Sequence, residues 1–171
     1  CEADRRELFR RFTKVLMTRN ISAVMTRFPE VFAAIEPELL KTQRYKERYY
    51  DCTLWEHISK SVEFAPPQAD LRYAMLFHNV GIPDCKCRDS HGNTFFYGHG
   101  EYGRITAENF FEKYKADIKL RSDTDMLIES HDVAFTEDRV ALKRLLCEYS
   151  HDELKKLLKL RIADDTARCS I

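Results

Sequence analysis

Glycine and proline are scarce in this sequence, with five of each among 171 residues. All five glycines fall between positions 81 and 103, so the flanking segments lack the residue that most readily interrupts helices. The sequence also contains no internal repeat, low-complexity tract or flexible linker. The glycine positions favour helical segments before and after one glycine-containing segment. The lack of internal repeats excludes a repeat protein.

Neither sign of charge predominates, because Lys plus Arg and Asp plus Glu number 28 each. A chain without net charge has no overall field that attracts nucleic acid or membranes, so any phosphate-binding surface has to be local. No apolar run approaches the roughly 20 residues that a membrane span requires, and the charged N-terminal segment is not typical of a secretory signal. We therefore predict a cytoplasmic protein with no membrane partner.

The six cysteines do not follow the spacing of a disulfide framework. A chain of this length has room for one domain with an adequate core, which needs no disulfide for stability. We expect a single domain over 1–171, with 1–35 as an N-terminal helical extension, and reduced thiols. Cys85, Cys87 and His91 lack an evident fourth ligand and the spacing of a zinc finger, so we interpret these cysteines as structural.

Local signals predict an all-α fold with one interruption. Thr53 with Glu56, and Ser150 with Glu153, form capping boxes that open two helices. Apolar residues at helical spacing predict further helices from Leu8 to about 20, at 22–28, from 71 to just before Gly81, and at about 101–115, 122–132 and 138–148. Residues 90–93 resemble a turn between two short extended runs, so we expect a small β-hairpin near residues 85–97.

Several polar side chains stand at the ends or on the inner faces of the predicted helices. They are His57, His78, His99, His131 and Asp164. A single inward histidine is more often a hydrogen-bonded core residue than a metal ligand. Five such groups that meet in space would instead suit a divalent ion with open positions for water and substrate. Periodicity alone leaves both interpretations open.

Short motifs in a fixed order carry a family resemblance. They are WEH, LFHN followed by GIP, FYGHGEYG, SHD and LKLRIADD, and the match runs from about Phe28 to Ala167. This order resembles the HD-domain family of metal-dependent phosphohydrolases, and more narrowly the C-terminal HD domain of bacterial CCA-adding tRNA nucleotidyltransferases. The nucleotidyltransferase domain of those enzymes has no counterpart here. The resemblance implies an HD-domain helical bundle.

The same resemblance assigns ligand roles to individual residues. The positions that hold the first metal ion in the family correspond here to His57, His78, Asn79 and Asp164. The positions that hold a second ion correspond to His99 and His131. The resemblance implies Mg, Mn, Fe, Ni or Zn as the ion and assigns no catalytic residue beyond these ligands. Asn79 stands where the family has the aspartate that gives it its name. Because a neutral amide replaces a carboxylate that can bridge two cations, we expect weakened metal binding and activity, or an absent metal.

The resemblance further implies an enzyme that hydrolyses a phosphomonoester or a cyclic nucleotide, so the expected partner is a nucleotide or phosphorylated small molecule. Asp132 or Asp165 could partly compensate for Asn79. Four basic residues are candidates for binding substrate phosphate, with a solvated surface role as the alternative for each. They are Arg88, Arg104, Lys143 and Arg144.

An alternative function is a non-catalytic module that binds tRNA or another RNA, or a partner subunit. Its support is the basic face of the last helix, with Lys155, Lys156, Lys159 and Arg161, and the tract KTQRYKERYY at residues 41–50. Basic and aromatic residues that alternate in this way are compatible with backbone and base contacts, although such tracts are more often solvated helix faces. A homodimer through the N-terminal helices, with Phe9 and Met17 as contacts, is a further expectation.

Overall fold

The computed structural model describes residues 2–46 and 51–168, and most of these residues are helical. Its elements are α1 (Glu2–Leu16), α2 (Ile21–Arg27), α3 (Pro29–Ile35), a 3-10 turn (Pro37–Leu39), α4 (Leu40–Arg44), α5 (Leu54–Phe64), α6 (Ala69–Phe77), β1 (Cys87–Arg88), β2 (Thr94–Phe95), α7 (His99–Tyr114), α8 (Ile118–Glu129), α9 (Arg139–Glu148) and α10 (His151–Ala167). Among the helices within these ranges, none has both the length and the apolar character needed to cross a membrane.

Both predicted capping boxes are present at the helix starts where the sequence placed them. The Thr53 backbone N–H donates to Glu56 at 2.7 Å, and the Thr53 hydroxyl accepts from the Glu56 backbone. Ser150 and Glu153 exchange the same pair of bonds at the start of α10. Each box satisfies two N–H groups that the first helical turn leaves without a partner, so the starts of α5 and α10 are fixed by local sequence.

The hairpin pairs β1 and β2 in antiparallel register, with Cys87 opposite Phe95 and Arg88 opposite Thr94. The Asp89 carboxylate closes its turn by accepting from the backbone N–H groups of His91 at 2.9 Å and Asn93 at 2.8 Å. The predicted all-α fold with a small β-hairpin near residues 85–97 is confirmed.

The N-terminal helices share the core of the remaining chain. Phe9 stacks on Tyr73 with ring centroids 5.7 Å apart, and Phe12 packs edge-on against Phe32 at 5.5 Å. Met17 also packs against this core. Phe9 and Met17, the two side chains expected to form dimer contacts, are partly buried against this core, and the homodimer through the N-terminal helices stays a prediction.

Two glycines allow α7 to approach the end of α6 closely. A Cβ at Gly103 would lie 2.5 Å from the carbonyl oxygen of Phe77, and one at Gly81 would lie 2.7 Å from the Cβ of Tyr102. Separations this short are excluded for real side chains, so only glycine permits this packing. The close approach brings the first residue of α7, His99, towards the residues that follow α6.

The cysteines of the described ranges differ in redox state. Cys85, Cys87 and Cys147 are free thiols, whereas Cys52 is disulfide-bonded. The expectation of reduced thiols is therefore wrong for Cys52 and confirmed for the other three. Cys1 and Cys169 lie outside the described residues.

Candidate metal centre

A cleft of about 200 Å³ lies where five segments of the chain meet. The segments are the first turn of α5, the turn after α6, the start of α7, the turn after α8 and the last turn of α10. Each segment brings one predicted ligand to the cleft lining: His57, Asn79, His99, His131 and Asp164. The remaining predicted ligand, His78, is fully buried beneath them.

His57, His78 and Asp164 form the first cluster. Asp164 Oδ1 lies 3.0 Å from His57 Nε2 and 3.2 Å from His78 Nε2. Burial by itself raises the pKa of Asp164, but hydrogen bonds and charge interactions with the protonated forms of the two histidines outweigh it and hold that pKa below its usual range. The structure therefore brings together three ligands that are spread over more than one hundred residues of the sequence.

Asn79 lies inside this first cluster. Its side-chain nitrogen donates to His78 Nε2 at 2.7 Å and to His57 Nε2 at 3.2 Å. An amide nitrogen carries two hydrogens, which is enough to serve both acceptors. The amide therefore hydrogen bonds to the two imidazole nitrogens that a cation in this cluster would use.

Three of the histidines are held in the same orientation by the backbone. In each, Nδ1 donates to the carbonyl three residues earlier: His78 to Met75 at 2.8 Å, His99 to Phe96 at 2.8 Å and His131 to Ile128 at 2.6 Å. A proton held on Nδ1 leaves the lone pair of a neutral imidazole on Nε2. This arrangement is typical of metal-binding histidines, because the backbone bond fixes both tautomer and ring orientation.

His99, His131 and Asp132 form the second cluster. The Nε2 atoms of the two histidines are 3.1 Å apart, and the Asp132 carboxylate lies 3.2 Å from His99 Nε2 and 3.5 Å from His131 Nε2. Burial lowers the pKa of His131 to about 4, and a hydrogen bond from His99 in its protonated form lowers the pKa of Asp132 to about 2. Burial alone would lower the pKa of His99, but its bonds to Asp132 and Phe96 outweigh this effect and raise it.

The two clusters form one continuous centre. The ring of His78 lies 5.6 Å from that of His57 and 5.2 Å from that of His131, which in turn lies 5.0 Å from His99. Donors that share one ion at about 2.0–2.2 Å lie about 3.0–3.5 Å apart, as the measured separations do. Imidazole and carboxylate donors suit Mn, Fe, Ni or Zn. Both clusters therefore fit a divalent cation in donor type and spacing.

The four predicted phosphate-binding residues are not among the side chains lining this cleft. Arg88, Lys143 and Arg144 are exposed on β1 and α9, and Arg104 is ion-paired with glutamates of its own helix. Arg168 lines the cleft instead, and its guanidinium donates to Asp164 Oδ2 at 3.2 Å. Arg168 could have been identified from the sequence because it stands four residues, about one helical turn, after Asp164.

The basic groups that suggested RNA binding are largely engaged within the chain. Lys156 lies between Asp70 at 2.6 Å and Asp123 at 3.0 Å, and Arg161 pairs with Asp165 at 2.8 Å. In the basic and aromatic tract, Lys41 contacts Glu38, Asp84 and Tyr102, and residues 47–50 lie outside the described residues. These pairs leave less positive charge available to phosphate on both segments.

Neither a family model nor a curated protein matches the chain. Imidazoles and carboxylates border a cleft that also carries a guanidinium. This combination can hold a divalent cation and an anionic group side by side.

Proposed function

We propose that the chain is an HD-type metal-dependent phosphohydrolase that acts on a phosphomonoester or a cyclic nucleotide. The observation that carries the proposal is the convergence of four histidines and two aspartates into two ligand clusters at one cleft. A buried histidine with only a structural role needs one or two hydrogen-bond partners. Here the imidazoles direct their Nε2 atoms towards carboxylates and towards one another, as ligands of a shared cation do.

Two sets of residues are candidates to hold a divalent ion: His57, His78 and Asp164 in the first cluster, and His99 and His131 in the second. A bound divalent ion lowers the pKa of water and offsets the negative charge of phosphoryl oxygens. Asp164 and Asp132 are both ionised near neutral pH because their pKa values are lowered. The cleft therefore supplies permanent negative charge to a cation across the physiological pH range.

Arg168 is the group we assign to substrate phosphate. Its guanidinium lines the cleft and contacts Asp164 Oδ2 at 3.2 Å and Asp165 Oδ1 at 3.3 Å. Guanidinium groups bind phosphoryl oxygens through two parallel N–H bonds, and the planar group keeps its charge at any physiological pH. A phosphate in the cleft would thus have a guanidinium beside it as well as the ligand clusters.

Asn79 sets the expected level of activity. The amide lacks the negative charge of a carboxylate, and its nitrogen already bonds to His57 and His78. We therefore expect slower hydrolysis than the family aspartate would support, and we expect Asn79→Asp to raise the rate. Loss of supporting interactions around a metal commonly costs about 10- to 100-fold, which gives the scale of that increase.

The proposal is tested with the full chain after removal of metal by a chelator. We expect hydrolysis of p-nitrophenyl phosphate or of a 2′,3′-cyclic nucleotide to return when Mn, Ni, Zn, Fe or Mg is added. His131→Asn should reduce the restored rate by at least about 100-fold, since it removes a ligand. Asp152→Asn, which changes an exposed aspartate at the opposite end of α10, should leave the rate unchanged. Metal binding without hydrolysis of any of these substrates would refute the proposed function.

A further inference from the structure

We infer that this chain holds its ion at the second cluster, with Asp132 as the carboxylate ligand. In the first cluster, Asn79 hydrogen bonds to the imidazole nitrogens of His57 and His78 and so competes with a metal ion for them. The inference rests on the proposed function in requiring a metal in the cleft, and it goes further by stating which ligands bind that metal. Residue 79 is thereby not a ligand, and the site is complete without a carboxylate at that position.

The three donors of the second cluster already have the spacing that one ion requires. His99 Nε2 and His131 Nε2 are 3.1 Å apart, and the Asp132 carboxylate places Oδ2 3.2 Å from His99 Nε2 and Oδ1 3.5 Å from His131 Nε2. Donors bound to one ion at about 2.0–2.2 Å are separated by about 3.0–3.5 Å. An ion can therefore enter with little movement of the ligands.

The chain fixes these ligands before any ion arrives. The Nδ1 atoms of His99 and His131 donate to backbone carbonyls, so both rings present Nε2 to the same point. The turn that carries His131 and Asp132 is closed by a bond from the Val133 N–H to the Ser130 carbonyl at 3.0 Å. The Ser130 hydroxyl also lies 2.9 Å from that of Tyr149, which ties this turn to the segment after α9. Ligands held in this way lose little conformational freedom on binding.

The first cluster has the same donor types but a different local partner. Asn79 donates to the nitrogens of both His57 and His78, so an ion entering there would have to displace two hydrogen bonds. The amide would also have to turn so that its oxygen, rather than its nitrogen, faced the ion. In the second cluster the metal-ligating atoms lie next to one another, and no amide lies between them. This difference favours the second cluster.

The ligand set also indicates the class of ion. Two imidazoles and one carboxylate suit Mn, Fe, Co, Ni or Zn better than Mg or Ca, which prefer oxygen ligands. The Asp132 side chain is 62% exposed, so solvent reaches this side of the cluster. Solvent access leaves coordination positions for water and for an anionic substrate.

The test measures binding of Co²⁺ alone to the full, chelator-treated chain, by calorimetry and by visible absorption, which reports imidazole and carboxylate coordination. We expect one ion per chain. Asp132→Asn should weaken binding by at least about tenfold, while Asp164→Asn should change it by less than about threefold. Asp152→Asn is the matched control for the loss of one negative charge, and it should bind as the parent does. Circular dichroism establishes that each variant is folded, and His57→Gln replaces Asp164→Asn if that variant fails to fold.

Loss of binding in Asp164→Asn with normal binding in Asp132→Asn would overturn the inference, while the proposed function would stand. Absence of binding in the parent chain would overturn both. Asn79→Asp supplies an independent outcome, because restoring the carboxylate should raise the stoichiometry from one ion to two. A stoichiometry that stays at one in Asn79→Asp would contradict the role given to Asn79.

Discussion

His131 connects the metal centre to the stability of the fold. Its side chain is 4% exposed, and its ring contacts the rings of both His78 and His99. Burial disfavours the charged imidazolium and lowers the pKa of His131 to about 4 from an ordinary value of 6.5. The residue is therefore neutral at physiological pH, which is the state that binds a metal.

A pH dependence of stability follows for the metal-free chain. Between pH 6.5 and 4 the unfolded chain binds a proton at His131 that the folded chain does not, so acidification lowers the free energy of unfolding. Urea titrations at pH 7 and 4.5 should show about 2–3 kcal/mol less acid destabilisation in His131→Gln than in the parent. His99, whose pKa is raised, acts in the opposite sense, so the parent and the variant have to be compared.

The control for this measurement is His151→Gln, which changes an exposed histidine at the start of α10. Between pH 7 and 4.5, this variant should lose as much free energy of unfolding as the parent does. Equal acid destabilisation in His131→Gln and the parent would show that burial of His131 does not oppose its protonation.

At the scale of elements, the positions of the ligands depend on how closely α7 packs. Gly103 lies in α7 against the last residue of α6, Phe77, and against Ile128 of α8. His78 directly follows α6, His99 is the first residue of α7, and His131 lies just after α8. Packing at Gly103 therefore sets the distance between the first cluster and the second.

Gly103→Ala should destabilise the fold, because its Cβ would lie 2.5 Å from the Phe77 carbonyl oxygen, a backbone atom that cannot rotate away. Alanine gains about 1 kcal/mol in helix propensity, and overpacking costs about 1–3 kcal/mol, so we expect a net loss of up to about 2 kcal/mol. Thermal and urea unfolding measure this change.

Gly100→Ala is the matched control in the same helix. Its Cβ would make an ordinary contact at 3.6 Å with His131, so its stability should equal or exceed that of the parent. Equal stability of the Gly103 and Gly100 variants would contradict the close packing of α7 on α6.

At the scale of the whole molecule, the N-terminal helices and the site-bearing helices share one core. Phe9 of α1 contacts the rings of Tyr73 in α6 and of Phe110, Phe111 and Tyr114 in α7. The single tryptophan, Trp55 in α5, donates to the Met25 carbonyl of α2 at 3.1 Å. These contacts predict that α1 and α2 unfold together with the rest of the chain.

Phe9→Ala should lower the free energy of unfolding by about 2–4 kcal/mol, because it removes an aromatic side chain that packs against four others. The transition should remain single, with coincident changes in circular dichroism and Trp55 fluorescence. Leu8→Ala, at a neighbouring position that is 43% exposed, should change stability by less than about 0.5 kcal/mol. Two separate transitions, or loss of α1 alone in Phe9→Ala, would mean that residues 1–35 form an independent extension.

The local elements of this protein follow from interactions between residues that are close in the sequence. The capping boxes at Thr53 and Ser150, the hairpin turn after Asp89 and most helix positions follow from interactions within about four residues of the chain. Such interactions are complete before any helix meets another. The resemblance of the sequence to the HD-domain family also singled out Asn79, which stands where that family has an aspartate.

Which side chains meet at the cleft depends instead on the tertiary structure. It placed Asp132 with His99 and His131, Asp164 with His57 and His78, the Asn79 amide between two imidazoles, and Arg168 at the cleft. His78 and Asp164 are 86 positions apart, and the distance between them depends on helix crossings set by core packing and by close approach at Gly103. Those crossings arise from many weak contacts over the whole chain, so no window of neighbouring residues encodes them.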